Sequence, residues 1–272
     1  MSIELTNFDE IDFNHLYKKQ KKETTFKPKS SSDWDKKSVF MNEKVHNSIY
    51  NEEFLELLDL KDIETLLDVG CGVGNLSLKL APKLEKVYAL DYSSKMLELL
   101  ESNAKQKGIE NIDLVNKSWD DSWDEIASCD LVIASRSLEV ADMKKALTKL
   151  NSKAKKKVVL SYKVGGSFVS EEILDVLNKD IIKKPDYIYL VNILYQMGIN
   201  AKVDFIRSEN KQKKIDSFGD FVDSITWSIG SLNADDIQNL CTYYNEVLIK
   251  KEPQEEYVYW AIISWDKRVK LS

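Results

Sequence analysis

The chain has 272 residues, 43% of them hydrophobic, and a net charge of −6 at pH 7. This length and composition fit a globular protein with a full core, and the acidic balance disfavours broad binding to nucleic acid. The sequence has no apolar run of about 18 residues that would cross a membrane, and its acidic start, MSIELTNFDEID, is unlike a signal peptide. The three cysteines are far apart, and two histidines are too few for a multi-histidine metal site. We therefore expect a cytoplasmic protein without a bound metal.

The first 60 residues are predicted to form a helical extension. Residues 1 to about 33 show no sustained period, and residues 18–29 carry six lysines and one glutamate. This segment is either a solvated tail or a lid that orders over a ligand site. A helix is predicted to begin at the SDWD stretch, where Trp34 is a core anchor or part of a substrate pocket. A further helix is predicted over residues 43–60, with His46 and Tyr50 on one face.

The most informative stretch is LLDVGCGVGN, residues 66–75. An apolar run that ends in alternate glycines predicts a strand, a tight turn and a helix. Glycine allows the backbone of such a turn to lie close to a ligand, where a Cβ atom would clash. The next strand, KVYALD, ends in Asp91, and an acid at this place can accept hydrogen bonds from both hydroxyls of a ribose. The two pieces together predict a nucleoside-binding pocket.

The remaining elements continue the alternation of strand and helix. Further strands are predicted over residues 112–116, 130–135, 156–162, 201–206 and 255–265. The helices between them are predicted over residues 75–81, 93–107, 140–150, 171–183 and 187–197. Residues 211–252 interrupt the alternation with aromatic-rich helical segments and are longer than an ordinary loop.

DVGCGVGN followed by VYALDYS resembles the class I S-adenosylmethionine-dependent methyltransferases. A dinucleotide fingerprint, G-x-G-x-x-G, would place its third glycine at position 75, which is Asn75. The resemblance carries specific motifs over roughly residues 60–165. It implies a three-layer α/β sandwich of the Rossmann-like type, whose mostly parallel seven-stranded sheet has an antiparallel last strand. The expected parts are an N-terminal lid (residues 1–60), a cofactor-binding core (61–210), a helical insertion over the acceptor site (211–252) and the last core strand (253–272).

The resemblance also implies a cofactor, S-adenosylmethionine, with S-adenosylhomocysteine as its product. The residues expected to bind it are Asp68, Gly70, Gly72, Gly74, Asp91, Tyr92, Met96, Ser118, Trp119 and Ser135. Met96 either packs on the adenine or only fills the core. Ser118 and Trp119 stand where the family commonly has an acid that contacts the adenine amine. Trp119 is expected to stack on the adenine, and Ser118 or a nearby acid is expected to meet the amine. Ser135 belongs to the loop after the fourth strand, which in the family lies between cofactor and acceptor.

The acceptor is expected to contact Trp34, His46, Tyr50 and Arg136. Arg136 either binds an acidic acceptor group through two hydrogen bonds or forms an ordinary surface ion pair. No motif identifies a general base. The candidates are His46, Tyr50, Glu139 and His15.

The leading functional hypothesis is a methyltransferase for a small molecule, acting mainly by positioning the reactants. One alternative is methylation of RNA or a protein, with the lysines of residues 18–29 as the electrostatic footprint. Another is a non-catalytic subunit that kept the fold and binds the cofactor or a partner. The absence of NPPY or DPPY after the fourth strand disfavours the branch that methylates amino groups of DNA and protein glutamine. A monomer and a homodimer are both compatible with the sequence.

Overall fold

The computed structural model describes residues 7–26, 28–44, 47–167, 169–177, 181–209, 217–250 and 257–267. Its strands are β1 (Thr65–Val69), β2 (Lys86–Asp91), β3 (Ile112–Asn116), β4 (Cys129–Ala134), β5 (Ala154–Lys163), β6 (Lys202–Glu209) and β7 (Tyr257–Asp266). The helices are α1 (Phe13–Glu23), α2 (Ser31–Lys44), α3 (Ile49–Glu56), α4 (Ser77–Leu80), α5 (Ser94–Gln106), α6 (Met143–Lys153), α7 (Glu171–Val176), α8 (Tyr187–Gln196), α9 (Phe218–Ile229) and α10 (Ala234–Glu246). Short 3₁₀ helices cover Phe8–Glu10, Ala81–Lys83 and Leu248–Lys250.

The seven strands form one sheet in the order β3-β2-β1-β4-β5-β7-β6. Strands β1 to β5 pair in parallel, whereas β7 lies antiparallel between β5 and β6. The predicted seven-stranded sheet with an antiparallel last strand is therefore confirmed. The carboxyl ends of β1, β2, β4 and β5 share one edge, and ligands of open α/β sheets bind at that edge.

Helices cover both faces of the sheet. On one face, Tyr50 and Phe54 of α3 pack with Leu66 and Leu131. On the other face, Tyr17 of α1 joins residues of α6 and α8 in a single cluster. Because both faces are covered, all six residues of β4 are buried, which explains why CDLVIA is an almost continuous apolar run.

A third cluster lies outside the sheet. Phe221 and Ile225 of α9 pack with Leu240 of α10, Ile173 of α7 and Phe26 of the N-terminal segment. The predicted helical insertion thus shares a small core with α7 and the N-terminal segment. None of the helices within the described ranges combines the length and the apolar character that crossing a bilayer would require.

The N-terminal segment is not a solvated tail over residues 13–23. This stretch forms α1, whose Tyr17 is fully buried and donates a hydrogen bond of 2.8 Å to the Val140 carbonyl. Asn14 donates to Asp142 at 3.1 Å. The helix has a weak sequence signal because four of its eleven residues are lysines and only Tyr17 among them is buried.

Two helix predictions are wrong in their bounds. The helix expected over residues 43–60 is interrupted, because Ser48 has extended backbone angles and its side chain accepts from the Asn51 N–H to cap α3. Tyr50 therefore belongs to a helix that begins at Ile49, and the predicted shared face with His46 falls outside the described residues. The helix expected over residues 171–183 ends at Val176 as α7. Ile182 instead pairs with Thr25, whose backbone N–H donates to its carbonyl at 3.0 Å.

Candidate active site

The three glycines after β1 have different roles. All have positive φ angles, +73° at Gly70, +55° at Gly72 and +90° at Gly74. A Cβ atom on Gly70 would lie 2.2 Å from the Cβ atom of Ser137, and one on Gly74 would lie 2.9 Å from a carbon of Leu100. A Cβ atom on Gly72 would meet no heavy atom within 4 Å. Gly70 and Gly74 are thus required for packing, whereas Gly72 borders open space of the kind that a ligand fills.

Asp91 at the end of β2 is tied to the glycine turn. Its Oδ2 accepts from the Gly72 N–H at 2.9 Å, and its Oδ1 accepts from the Ser93 N–H at 2.9 Å. The residue is 6% exposed, and this burial raises the pKa of its carboxyl group. A carboxylate has about four lone-pair sites, so each oxygen retains capacity for a ribose hydroxyl. Asp91 therefore lies beside the open side of Gly72, and its expected contact with a ribose stays a prediction.

Helix α2 brings a second carboxylate to this place. Asp35 accepts a hydrogen bond of 2.5 Å from the Ser93 hydroxyl, which itself accepts from the Met96 N–H to cap α5. Burial has the largest effect on the pKa of Asp91 and raises it, whereas the backbone N–H groups that donate to Asp91 lower it. The charge of Asp35 raises this pKa further. The sequence reasoning missed Asp35, because it lies 58 positions from Ser93 along the chain.

An apolar cluster lies beside the glycine turn. Met96 is 4% exposed and packs with Val73, and Trp34 and Met41 of α2 lie against this pair. Met96 therefore packs beneath α2 with Trp34 against it, and the expected contacts of both residues with a ligand stay predictions.

Helices α2 and α9 meet beside this apolar cluster. The rings of Trp34 and Trp227 contact edge to face at 5.9 Å. Lys29 donates to the Trp227 carbonyl, and the Tyr92 hydroxyl donates to the Lys29 carbonyl at 3.2 Å. Lys37 lies over the Trp227 ring, 3.6 Å from its centroid. The helical insertion is thus linked, through Lys29, to the residue that directly follows Asp91.

Asp68 lies beneath the glycine turn. It is 2% exposed and accepts a hydrogen bond of 2.6 Å from the Ser77 hydroxyl. Burial raises the pKa of its carboxyl group to about 7. The side-chain oxygen of Asn75 is also buried, and among the described residues it has no hydrogen-bond partner. An unpartnered acceptor beside an open glycine suits a ligand with a hydrogen-bond donor.

Ser118 and Trp119 follow β3 and reach the turn indirectly. The Trp119 indole N–H donates to the Ser137 carbonyl at 3.0 Å, and its ring lies 5.1 Å from that of Trp123. The Ser118 N–H donates to Asp121 at 2.7 Å. Both residues are half-buried, and Trp119 is linked to Gly70 through Ser137. Their expected contact with adenine stays a prediction.

The carboxyl ends of β4 and β5 carry a network of hydroxyl groups. The Tyr50 hydroxyl lies 2.7 Å from the Ser135 oxygen and 2.5 Å from the Ser161 oxygen. The Arg136 N–H donates to Ser161 at 2.9 Å. The guanidinium of Arg136 lies 3.3 Å from the Tyr50 ring centroid and 5.0 Å from that of Trp260. Three of the predicted site residues, Tyr50, Ser135 and Arg136, are therefore brought together.

Tyr50 itself is 1% exposed, and burial raises the pKa of its hydroxyl. Both observations argue for a role in holding Arg136 rather than for direct contact with an acceptor or for a general base. Ser161 and Trp260 belong to the same group and were missed in the sequence. Ser161 lies 111 positions from Tyr50 along the chain, so no local pattern connects them.

The other candidate bases lie apart from this network. Glu139 pairs with Lys21 at 2.5 Å and with Lys184 at 2.8 Å. Partial burial raises the pKa of Glu139, but the two ammonium groups outweigh it and hold that pKa below its usual range. A carboxylate so paired is a weak base. His15 is exposed on α1, and His46 lies outside the described residues.

Comparison with known proteins agrees with this geometry. The model of a family described as "Methyltransferase domain" matches residues 60–261. The chain therefore belongs to the methyltransferase domain family, and its fold is that of the class I S-adenosylmethionine-dependent methyltransferases. A protein of Haemophilus influenzae, described as uncharacterized, is 36% identical over 236 residues, which cover 86% of this chain and 88% of that protein.

Shorter similarities link the chain to RNA methyltransferases. A 23S rRNA uracil C5-methyltransferase of Aliivibrio salmonicida is 34% identical over 74 residues, which are 27% of this chain and 17% of that enzyme. An uncharacterized RNA methyltransferase of Clostridium tetani is 31% identical over 78 residues, which are 29% of this chain and 17% of that protein. These matches leave most of both chains uncovered.

Solved structures support the fold. The YcgJ protein of Bacillus subtilis has a TM-score of 0.55 at 15% identity, covering 80% of this chain and 98% of that one. A phosphoethanolamine N-methyltransferase of Haemonchus contortus, solved with phosphomonomethylethanolamine and S-adenosylhomocysteine, has a TM-score of 0.54 at 16% identity, covering 97% of this chain and 60% of that one. At such identities the likeness shows the fold alone.

Proposed function

We propose that this chain transfers the methyl group of S-adenosylmethionine to a small-molecule acceptor. The observation that carries the proposal is the meeting of α2 and α9 beside the candidate cofactor site, through the rings of Trp34 and Trp227. Lys29, just before α2, adds to it by bonding to the Trp227 carbonyl and by accepting from Tyr92. Helices that close in on the carboxyl edge of the sheet restrict the size of what can reach it. A small molecule fits such an entrance better than a folded RNA does.

The cofactor would be held by residues that fit it on structural grounds. Asp91 would accept from the ribose hydroxyls, and the open side of Gly72 would admit the ligand close to the backbone. The unpartnered oxygen of Asn75 would accept from a donor group. Trp34 and Met96 would border an apolar part of the cofactor, since both belong to the apolar cluster beside this turn.

When bound, S-adenosylmethionine supplies a methyl group on a positively charged sulfur. The chain must then hold the acceptor atom in line with that group and exclude water, and much of the rate gain comes from this positioning. Ser135 and Arg136 at the end of β4 lie where an acceptor would be held. Ser137 connects them to the glycine turn, because its hydroxyl donates to the Val69 carbonyl at 2.6 Å.

The RNA alternative has less support. Two lysines of the basic segment are already paired within the chain, Lys18 with Asp142 at 3.0 Å and Lys21 with Glu139 at 2.5 Å. Such pairs leave less positive charge for phosphates, and the net charge of the chain is −6. The similarity to RNA methyltransferases also covers only short segments of those enzymes.

Two measurements test the proposal. Calorimetry with S-adenosylmethionine and S-adenosylhomocysteine should show binding that Asp91→Ala weakens. Transfer of a labelled methyl group should then be followed into the small-molecule, RNA and protein fractions of a bacterial extract. Label in the small-molecule fraction supports the proposal, whereas label confined to RNA or protein refutes it. Failure to bind either ligand would favour a non-catalytic subunit.

A further inference from the structure

Arginine is rare in this chain. Of the 39 lysines and arginines, only Arg136, Arg207 and Arg268 are arginines. The two residue types differ, because a guanidinium offers a planar fork of donors that matches a carboxylate or a phosphate. Arg207 is bound to a carboxylate within the fold, since its Nε donates to Glu53 at 2.8 Å and its backbone N–H donates to the same carboxylate at 2.7 Å. Arg268 lies outside the described residues.

Arg136 has no such partner. Among the described residues no carboxylate lies within ion-pair distance of its guanidinium, although the charge of Glu209 acts on it from farther away. Glu209 accepts instead from the Ile49 N–H at 3.2 Å. Arg136 is exposed. One face of its guanidinium is covered by the rings of Tyr50 and Trp260, which are 1% and 6% exposed. The donor edge of the guanidinium is therefore held in place without a carboxylate to bind.

The backbone at Arg136 is strained. Its φ angle is +57°, and a non-glycine residue in this region costs about 1–2 kcal/mol. Arg136 is held in this conformation by the hydrogen bond from its backbone N–H to the Ser161 hydroxyl, which in turn contacts the Tyr50 hydroxyl. Strain of this kind at the carboxyl end of a strand is typical of functional sites, where surrounding contacts impose the conformation.

The position also suits an acceptor. Arg136 is followed by Ser137, against which Gly70 of the cofactor turn packs. We propose that Arg136 binds an anionic group of the methyl acceptor, a carboxylate or a phosphate monoester, and that Tyr50 and Ser161 are the residues that position it. This inference rests on the proposed function and adds the chemical class of its substrate.

Arginine-specific modification tests the inference directly. Phenylglyoxal modifies guanidinium groups, and mass spectrometry of the peptides reports Arg136 and Arg207 separately. The purified protein is modified with S-adenosylhomocysteine present, in benzoate, phenyl phosphate or the neutral control benzamide. At a concentration of about twice its Kd, a bound anion should slow the modification of Arg136 roughly threefold, following 1 + [L]/Kd. Arg207 serves as the internal reference and should react at an unchanged rate.

The inference is overturned if Arg136 reacts equally fast in both anions and in benzamide, or if Arg136 and Arg207 are protected alike. Thermal shifts distinguish this failure from failure of the proposed function. If S-adenosylhomocysteine does not stabilise the wild type, the proposed function fails. If it does stabilise the wild type and neither anion protects Arg136, only the inference fails.

Two variants separate binding from positioning. Arg136→Lys keeps the charge but loses the fork, and it should abolish the additional thermal shift caused by benzoate while leaving the shift by S-adenosylhomocysteine unchanged. Tyr50→Phe keeps the ring beneath the guanidinium and removes the hydroxyl, so benzoate should bind more weakly without loss of the native fold. A benzoate shift that is the same in wild type and Arg136→Lys would contradict the assignment.

Discussion

Replacing Gly72 by alanine separates the stability of the glycine turn from its ability to bind a ligand. The φ angle of Gly72 is +55° and its Cβ position is open. The free energy of unfolding of the variant should therefore fall only by the cost of placing alanine in left-handed backbone, about 1–2 kcal/mol. The added methyl would project into the space that the cofactor is proposed to fill. We therefore expect the affinity for S-adenosylhomocysteine to fall at least about tenfold, or about 1.4 kcal/mol.

Gly108 provides a matched control. Its φ angle is +65° and its Cβ position is equally open, but Gly108 lies after α5, away from the glycine turn. Gly108→Ala should therefore lose a similar amount of stability to urea and bind S-adenosylhomocysteine as the wild type does. Calorimetry on both variants, with urea unfolding alongside, measures the two effects separately. Wild-type affinity in Gly72→Ala would refute the placement of the ligand beside this glycine.

Three other substitutions test the site and the fold. Asp91→Ala should weaken binding of S-adenosylhomocysteine by about 1.5–3 kcal/mol, the range for a lost charge-assisted hydrogen bond, and unchanged calorimetric affinity would remove Asp91 from the ribose site. Asp68 has a pKa of about 7, raised by burial above the ordinary value of 3.8. The native state therefore binds more protons than the unfolded state between about pH 4 and 7, and the free energy of unfolding falls as pH rises through this window by up to about 4 kcal/mol. Asp68→Asn should lack this slope in urea unfolding of the ligand-free protein, and parallel pH profiles would contradict the assigned burial. Tyr17→Phe removes the bond to the Val140 carbonyl and should cost about 1 kcal/mol of unfolding free energy; an unchanged urea midpoint would show that α1 does not depend on this bond.

The elements with local signals could be predicted from the sequence. Strand β3 has the predicted bounds, and helix α5 begins after Ser93, which caps it, and ends before Gly108, as its capping residues indicate. The positive φ angles of the glycine turn are of the kind that glycine permits. Each of these features is determined by residues within a few positions of one another, where capping, periodicity and backbone freedom act.

The errors fall where distant residues compete with local preference. The helix expected over residues 171–183 is cut short because the backbone of Ile182 pairs with Thr25, 157 positions away. Helix α1 is held by one buried tyrosine and by contacts with the loop before α6. The local pattern shows neither of these distant contacts. The sequence therefore predicts one long helix over residues 171–183, and for the segment of α1 it predicts either a tail or a lid.

By itself the sequence determined the sheet-forming segments, the glycine turn and Asp91, because hydrophobic period and glycine content encode them locally. Only the tertiary structure decided that Asp35 lies beside Ser93, that Trp227 meets Trp34, and that Tyr50 supports the strained Arg136. These contacts join residues that are far apart in the chain and are fixed by the packing of whole helices on the sheet. The glycine turn and Asp91 could therefore be predicted from a motif, whereas the surroundings of Trp34 and Arg136 depend on how the helices pack.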